Sequence, residues 1–135
     1  MPPLKIFDTT LTISPDDVLG GHVNNAKFFA YVGEAFGGWY ASMGFVGVDG
    51  PITGPLMAHQ ELDFLSEMTY PGNVLCRLTV TRIGKSSLEH AIDLRNADQP
   101  DVLCARGKEV NVWFDRDLGR AATWPDDMLA KCWEA

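Results

Sequence analysis

Hydrophobic and polar residues change period twice along this chain, and each change marks a different element. Residues 4–14 are rich in β-branched and apolar types and read as a first strand. Ser14-Pro15-Asp16-Asp17 ends it, because proline cannot continue a ladder and Asp favours turns. From Asn25 to Met43 the pattern is helical: Phe28, Phe29, Tyr31, Val32, Phe36, Trp39, Tyr40 and Met43 cover one broad face. The glycine-rich stretch from Gly44 to Gly54 reads as a loop, and beyond it the period is two. Residues 56–66, 73–83, 87–96 and 102–114 are candidate strands, separated by turn signals at Tyr70-Pro71-Gly72-Asn73, Gly84-Lys85-Ser86 and Asn96 to Pro100. In the last of them Val102, Cys104, Val110, Val112 and Phe114 alternate with Leu103, Glu109, Asn111 and Trp113. Trp124-Pro125-Asp126-Asp127 opens a short C-terminal helix with acids in its first turn.

Strands with one apolar face belong to antiparallel sheets. The order strand, long helix, four strands therefore predicts an α+β fold, a five-stranded antiparallel sheet wrapped around one long central helix with a short C-terminal helix. Gly33, Gly37 and Gly38 lie inside that helix, where each costs about 1 kcal/mol relative to Ala. Close approach by another element is the expected reason, so one helix face packs on the sheet and the other meets a second subunit or a neighbouring strand. Glu34 is the lone acid of this helix, a candidate for acid–base work or for a structural hydrogen bond.

The chain of 135 residues, 46% hydrophobic and 21% charged, reads as a single globular domain over 1–135. No apolar run approaches the roughly 18 residues of a membrane span, and the start lacks a signal-peptide core, so a cytoplasmic protein with no membrane partner is expected. Cys76, Cys104 and Cys132 are widely spaced and form no metal pattern; buried free thiols are the reading. A net charge of −7 argues against nucleic acid. Eight of the eleven basic residues fall between Arg77 and Arg120, which leaves room for a local site for a phosphorylated small molecule.

The candidate chemistry is concentrated in Asp16-Asp17-Val18-Leu19-Gly20-Gly21-His22-Val23-Asn24-Asn25. Two glycines let the backbone turn tightly and present its N–H groups. An acid, an imidazole and the amino end of a helix stand beside them, the parts from which acyl-transfer sites are assembled.

Gly21-His22-Val23-Asn24-Asn25 opening an aromatic-rich helix resembles the hotdog-fold thioesterases of the 4-hydroxybenzoyl-CoA thioesterase type, and the related acyl-ACP thioesterases. Phe29, Tyr31, Glu34, the segment Phe64 to Gly72, Gly84-Lys85-Ser86-Ser87 and the end Val110 to Pro125 fit the same pattern. The resemblance implies hydrolysis of an acyl-CoA or acyl-ACP thioester by a homodimer or homotetramer with its site at a subunit interface. It implies no metal and no cofactor beyond coenzyme A as part of the substrate. Asp17 would be base or nucleophile, the amides near Gly21 and His22 the oxyanion site, and His22 could orient the acid or donate to the carbonyl. Gly20 and Asn25 would border the substrate, although Asn24 and Asn25 also read as loop and cap residues. His59 could reach a site across the interface. Arg82, Lys85, Ser86 and Ser87 would meet the nucleotide of coenzyme A. The family places an Asp four residues before the His; here that position is Val18, with Asp17 one residue earlier. Either the two glycines absorb a one-residue slip, or Asp16 and Asp17 serve only as turn and cap residues. In the second case a non-hydrolytic acyl-thioester binding protein is the expected alternative.

Overall fold

The structure is a computed structural model that describes residues 5–42 and 53–133. Strand β1 (Ile6–Thr12) ends at a single 3-10 turn, Pro15–Asp17. Two short strands, β2 (Val18–Leu19) and β3 (His22–Val23), form a hairpin that leads into helix α1 (Asn25–Ser42). Then come β4 (Thr53–Phe64), β5 (Asn73–Ile83), β6 (Ser87–Asn96) and β7 (Gln99–Asp115). A short β8 (Arg120–Ala121) and helix α2 (Asp126–Ala130) complete the order. Most of the expected loop from Gly44 to Gly54 lies outside the described residues; Thr53 and Gly54 already belong to β4.

The five long strands run β1-β5-β6-β7-β4, antiparallel throughout, with β8 added to β7. This is the expected five-stranded sheet on one helix. Every second residue of β5 (Val74, Cys76, Leu78, Val80) and of β6 (Leu88, His90, Ile92, Leu94) is buried on the inner face. Phe28, Tyr31, Val32, Ala35 and Trp39 of α1 bury into that concave face. Rings from both ends of the helix meet the sheet: Phe28 touches Phe64 at 5.4 Å between centroids, and Trp39 touches His90 at 4.7 Å.

Three expectations change. On β7 the phase is inverted: Glu109, Asn111 and Trp113 are buried, while Val110, Val112 and Phe114 are only half-buried. A bulge is the cause. Leu94 pairs with Ala105 and Arg95 with Leu103, so Cys104 is the extra residue, Cys104 and Ala105 are both buried, and every later side chain changes face. Glu34 is exposed. The helix glycines do not share one reason either: a Cβ on Gly38 would meet the Phe7 ring of β1 at 3.5 Å, whereas one on Gly33 or Gly37 would meet nothing within 4 Å among the described residues.

Candidate active site

The glycine stretch is a two-residue hairpin turn. Val18 pairs with Val23 and Leu19 with His22, leaving Gly20 (φ +67°) and Gly21 (φ +88°) as the central pair. Positive φ at both positions is the type I′ turn, whose twist matches the flanking strands and which glycine adopts without strain. The hairpin continues one step further, because the Asn24 N–H donates to the Asp17 carbonyl at 2.9 Å. Asn24 then caps α1: its side-chain oxygen accepts the Ala26 N–H at 3.2 Å and its carbonyl accepts the Lys27 N–H at 2.8 Å. Asp17, the turn and the amino end of the helix are thus one rigid unit, and Asn25 is the exposed first residue of α1.

The Asp17 carboxylate is held on several sides. Its Oδ2 accepts the Ser14 N–H at 2.9 Å, closing a capping box on the 3-10 turn, and the Tyr31 hydroxyl at 2.8 Å. Lys27 Nζ stands 3.8 Å from Oδ1. Burial, and then the hydrogen bond to Asp17, push the Tyr31 hydroxyl well above the ordinary tyrosine range. His22 projects from the hairpin with Nδ1 3.8 Å from Glu67 Oε2, both partly exposed. The hairpin is fastened to the same segment by the Val23 N–H, which donates to the Met68 carbonyl at 2.8 Å.

The remaining candidates lie elsewhere. Arg82 and Lys85 are exposed at the β5–β6 connection. There the Gly84 N–H donates to the Ser87 carbonyl at 2.8 Å, and the Ser86 carbonyl accepts both the Trp113 N–H and the Trp124 indole N–H at 2.8 Å. His59 is exposed on β4 and contacts Glu61 at 3.1 Å. The glycine hairpin abuts Met68, just past the end of β4, while Trp113 pairs with Pro55 near its start. Within one chain the Gly20-Gly21 turn and the Arg82–Ser87 turn therefore sit at opposite ends of the sheet. The eleven residues of β5 put them roughly 30 Å apart.

Two features were not singled out from sequence. One is the Tyr31 contact, which depends on the hairpin folding Asp17 back onto α1. The other is a polar row across the concave sheet, where His90, Glu109 and Gln60 are neighbours on β6, β7 and β4. His90 and Glu109 are 0% exposed, with Nδ1 3.7 Å from Oε1, and the Gln60 amide donates to Glu109 Oε2 at 3.4 Å. Burial lowers His90 to about 4 and raises Glu109 to about 7. Among the described residues no group of three or more His, Cys, Asp and Glu could hold a metal ion, and no helix is long and apolar enough to cross a membrane.

Comparison with known proteins places this geometry. The PA2801 protein of Pseudomonas aeruginosa is 26% identical, with 93% of this chain and 96% of that one covered at a TM-score of 0.88. Slr0204, a 1,4-dihydroxy-2-naphthoyl-CoA thioesterase from Synechocystis, is 19% identical over 93% and 94% of the two chains, TM-score 0.83. SAV2348 of Staphylococcus aureus, solved in complex with CoA, is 12% identical over 98% and 89%, TM-score 0.84. No curated protein matches the sequence. The family profile described as the thioesterase-like superfamily matches residues 14–132, from the capping serine before the glycine hairpin through the last turn after α2. That match runs through the turn, the helix and every strand of the wrapped sheet except β1, so the chain belongs to the thioesterase-like superfamily and its fold is the hotdog fold.

Proposed function

We infer that this protein hydrolyses an acyl thioester of coenzyme A, or of acyl carrier protein, with Asp17 as the acid–base group. The observation that carries the reading is the bond from Asn24 N–H to the Asp17 carbonyl, which ties the acid directly to the cap of α1. The amino end of an 18-residue helix favours developing negative charge. The central N–H groups of a tight turn lie outside the ladder and remain able to donate. Asp17 removes a proton from water, and the hydroxide oxygen adds to the thioester carbon, whose carbonyl becomes an oxyanion beside those amides. Collapse restores the carbonyl and breaks the carbon–sulfur bond, and the departing thiolate takes the proton back from Asp17. The products are the free acid and the thiol. The CoA complex of SAV2348 and the substrate in the name of Slr0204 support coenzyme A as the carrier.

The separation of the two turns supports a homodimer. Among the described residues β4 ends the sheet, and it carries the exposed side chains of Leu56 and Met57, with Phe64 and Leu65 exposed at its far end. A long unpaired edge strand is a template for another strand. Antiparallel pairing of β4 with β4 of a second copy about a two-fold axis brings the end of one strand beside the start of the other. The glycine hairpin of one copy then neighbours the Arg82–Ser87 turn of its partner. Arg82 and Lys85 would meet the phosphates, while the Ser86 carbonyl, already shared by two tryptophan donors, fixes the turn.

A second reading draws on the same acid: Asp17 Oδ2 already accepts two donors, as a purely structural cap would, which favours an acyl-thioester binding protein without turnover. Thiol release from acetyl-, octanoyl-, palmitoyl- and benzoyl-CoA separates the two. Hydrolysis that falls at least a hundredfold in Asp17→Asn supports the enzyme. Saturable binding with no turnover on any ester supports the binding protein, and full activity in Asp17→Asn removes the acid from the mechanism.

A further inference from the structure

Within the hydrolase reading, on which this inference rests, the two oxygens of Asp17 are not equivalent. A carboxylate oxygen offers about two lone-pair sites, and Oδ2 has filled both, with the Ser14 N–H at 2.9 Å and the Tyr31 hydroxyl at 2.8 Å. Oδ1 stands 3.8 Å from the Lys27 ammonium, beyond hydrogen-bond range. The Ser14 contact comes from the turn that contains Asp17 itself, so it orients the acid only within its own three residues. The Tyr31 contact spans fourteen residues and comes from the buried face of α1, where the Tyr31 ring lies 6.4 Å from that of Phe28.

We propose that Tyr31 is the positioning residue of this site: its hydroxyl pins Asp17 Oδ2 to the helix whose amino end receives the oxyanion, leaving Oδ1 to take the proton of the attacking water. The acid and the oxyanion amides are then referenced to one rigid element, which is what a near-attack geometry requires. Burial and the neighbouring carboxylate push the Tyr31 hydroxyl upward, so it stays protonated and donating well into the alkaline range.

The test is a kinetic double-mutant cycle on the full chain with Tyr31→Phe, Asp17→Asn and the pair, assayed for thiol release from the acyl-CoA that wild type turns over best. Tyr31→Phe keeps the ring and its packing and removes only the donor. The expected result is a fall of about tenfold in kcat with KM within about twofold, the loss of one hydrogen bond to a charged group. In the Asp17→Asn background the same substitution should have no further effect, because Tyr31 acts through the acid. Wild-type kcat in Tyr31→Phe overturns the proposal while leaving the hydrolase reading intact. So does an equal loss in both backgrounds, which would mean that the hydroxyl serves the fold. A wild-type protein without turnover overturns the hydrolase reading and this inference with it, whereas full activity in Asp17→Asn takes the acid out of the mechanism and overturns this inference while hydrolysis stands.

Discussion

His90 and Glu109 face each other in register across β6 and β7, 3.7 Å apart and entirely shielded from solvent. Burial drives both toward their neutral forms, His90 to about 4 and Glu109 to about 7, with the Gln60 amide pulling Glu109 part of the way back. Asn111 is buried two positions along β7 from Glu109, and Cys76, pushed up to about 12, stays a thiol.

The pair makes stability depend on pH in opposite directions. Glu109 has its folded pKa raised from 4.5, so its contribution is complete below 4.5 and is lost as pH rises through about 7. His90 has its folded pKa lowered from 6.5, so its contribution is present above 6.5 and is lost as pH falls through about 4. Between 4.5 and 6.5 the folded and unfolded pairs hold the same number of protons and the two effects cancel. Removing one partner exposes the other. Glu109→Gln should gain on wild type by about 3 kcal/mol between pH 4.5 and pH 7 and hold that gain at higher pH. Urea unfolding at half-unit pH steps reads this directly. A difference that is flat with pH would show that Glu109 is not held neutral by burial.

Gly107 of β7 admits no side chain. A Cβ there would overlap the Glu61 carbonyl oxygen and stand 3.0 Å from the Cα of Leu62, its ladder partner, so the paired backbone of β4 already fills that space. Gly107→Ala should cost about 2–3 kcal/mol, because backbone and not a flexible side chain has to move. Gly37→Ala on α1 meets nothing within 4 Å among the described residues and should raise stability by up to about 1 kcal/mol through helix propensity. Urea midpoints of the two variants should move in opposite directions. A destabilising Gly37→Ala that also shifts the sedimentation coefficient would show that a second copy covers that helix face.

The sequence carried what local chemistry determines. β5 and β6 occupy 73–83 and 87–96 because alternation and turn residues bound them on both sides. α1 starts at Asn25 because Asn24 is a good cap. What failed was non-local. One extra residue at Cys104 inverted β7 and turned Glu109 from a surface acid into a core group, and nothing within the strand announces a bulge whose cause is its pairing with β6. Gln99 and Pro100 joined β7 because Ala97-Asp98 alone makes the turn, and Pro100 sits where the ladder to β6 is already irregular. At the site, the Gly-Gly pair marked the turn, but the partner of Asp17 was invisible, since Tyr31 fits a buried helix face equally well with or without an acid under its hydroxyl.

The type I′ geometry separates the two glycines of the turn. Gly20, at φ +67°, lies in the left-handed region that Asn tolerates, and Asn-Gly is a favoured pair for this turn. Gly21, at φ +88°, has no such substitute among β-branched residues. Gly20→Asn should leave the melting temperature unchanged, whereas Gly21→Val should cost at least about 1–2 kcal/mol and lower kcat by disturbing the adjacent amides. Thermal melts and thiol release on both variants check this; equal losses at the two positions would mean the turn is not type I′ in solution.

The distance of roughly 30 Å between the glycine hairpin and the Arg82–Ser87 turn of one chain makes the composite site testable by mixing. If each site takes its acid from one copy and its phosphate contacts from the other, Asp17→Asn and Lys85→Glu damage different halves of the same site. Each variant alone should be poor, the first through kcat and the second through KM, because Lys85→Glu replaces attraction for the nucleotide phosphates by repulsion. Unfolded and refolded together in equal amounts, the two form about half heterodimers by random pairing. Each heterodimer holds one site with both native residues and one with neither, so about a quarter of wild-type activity should return at substrate concentrations where either parent is nearly silent. Activity that stays at the average of the two parents would place both residues in the service of separate sites within single chains.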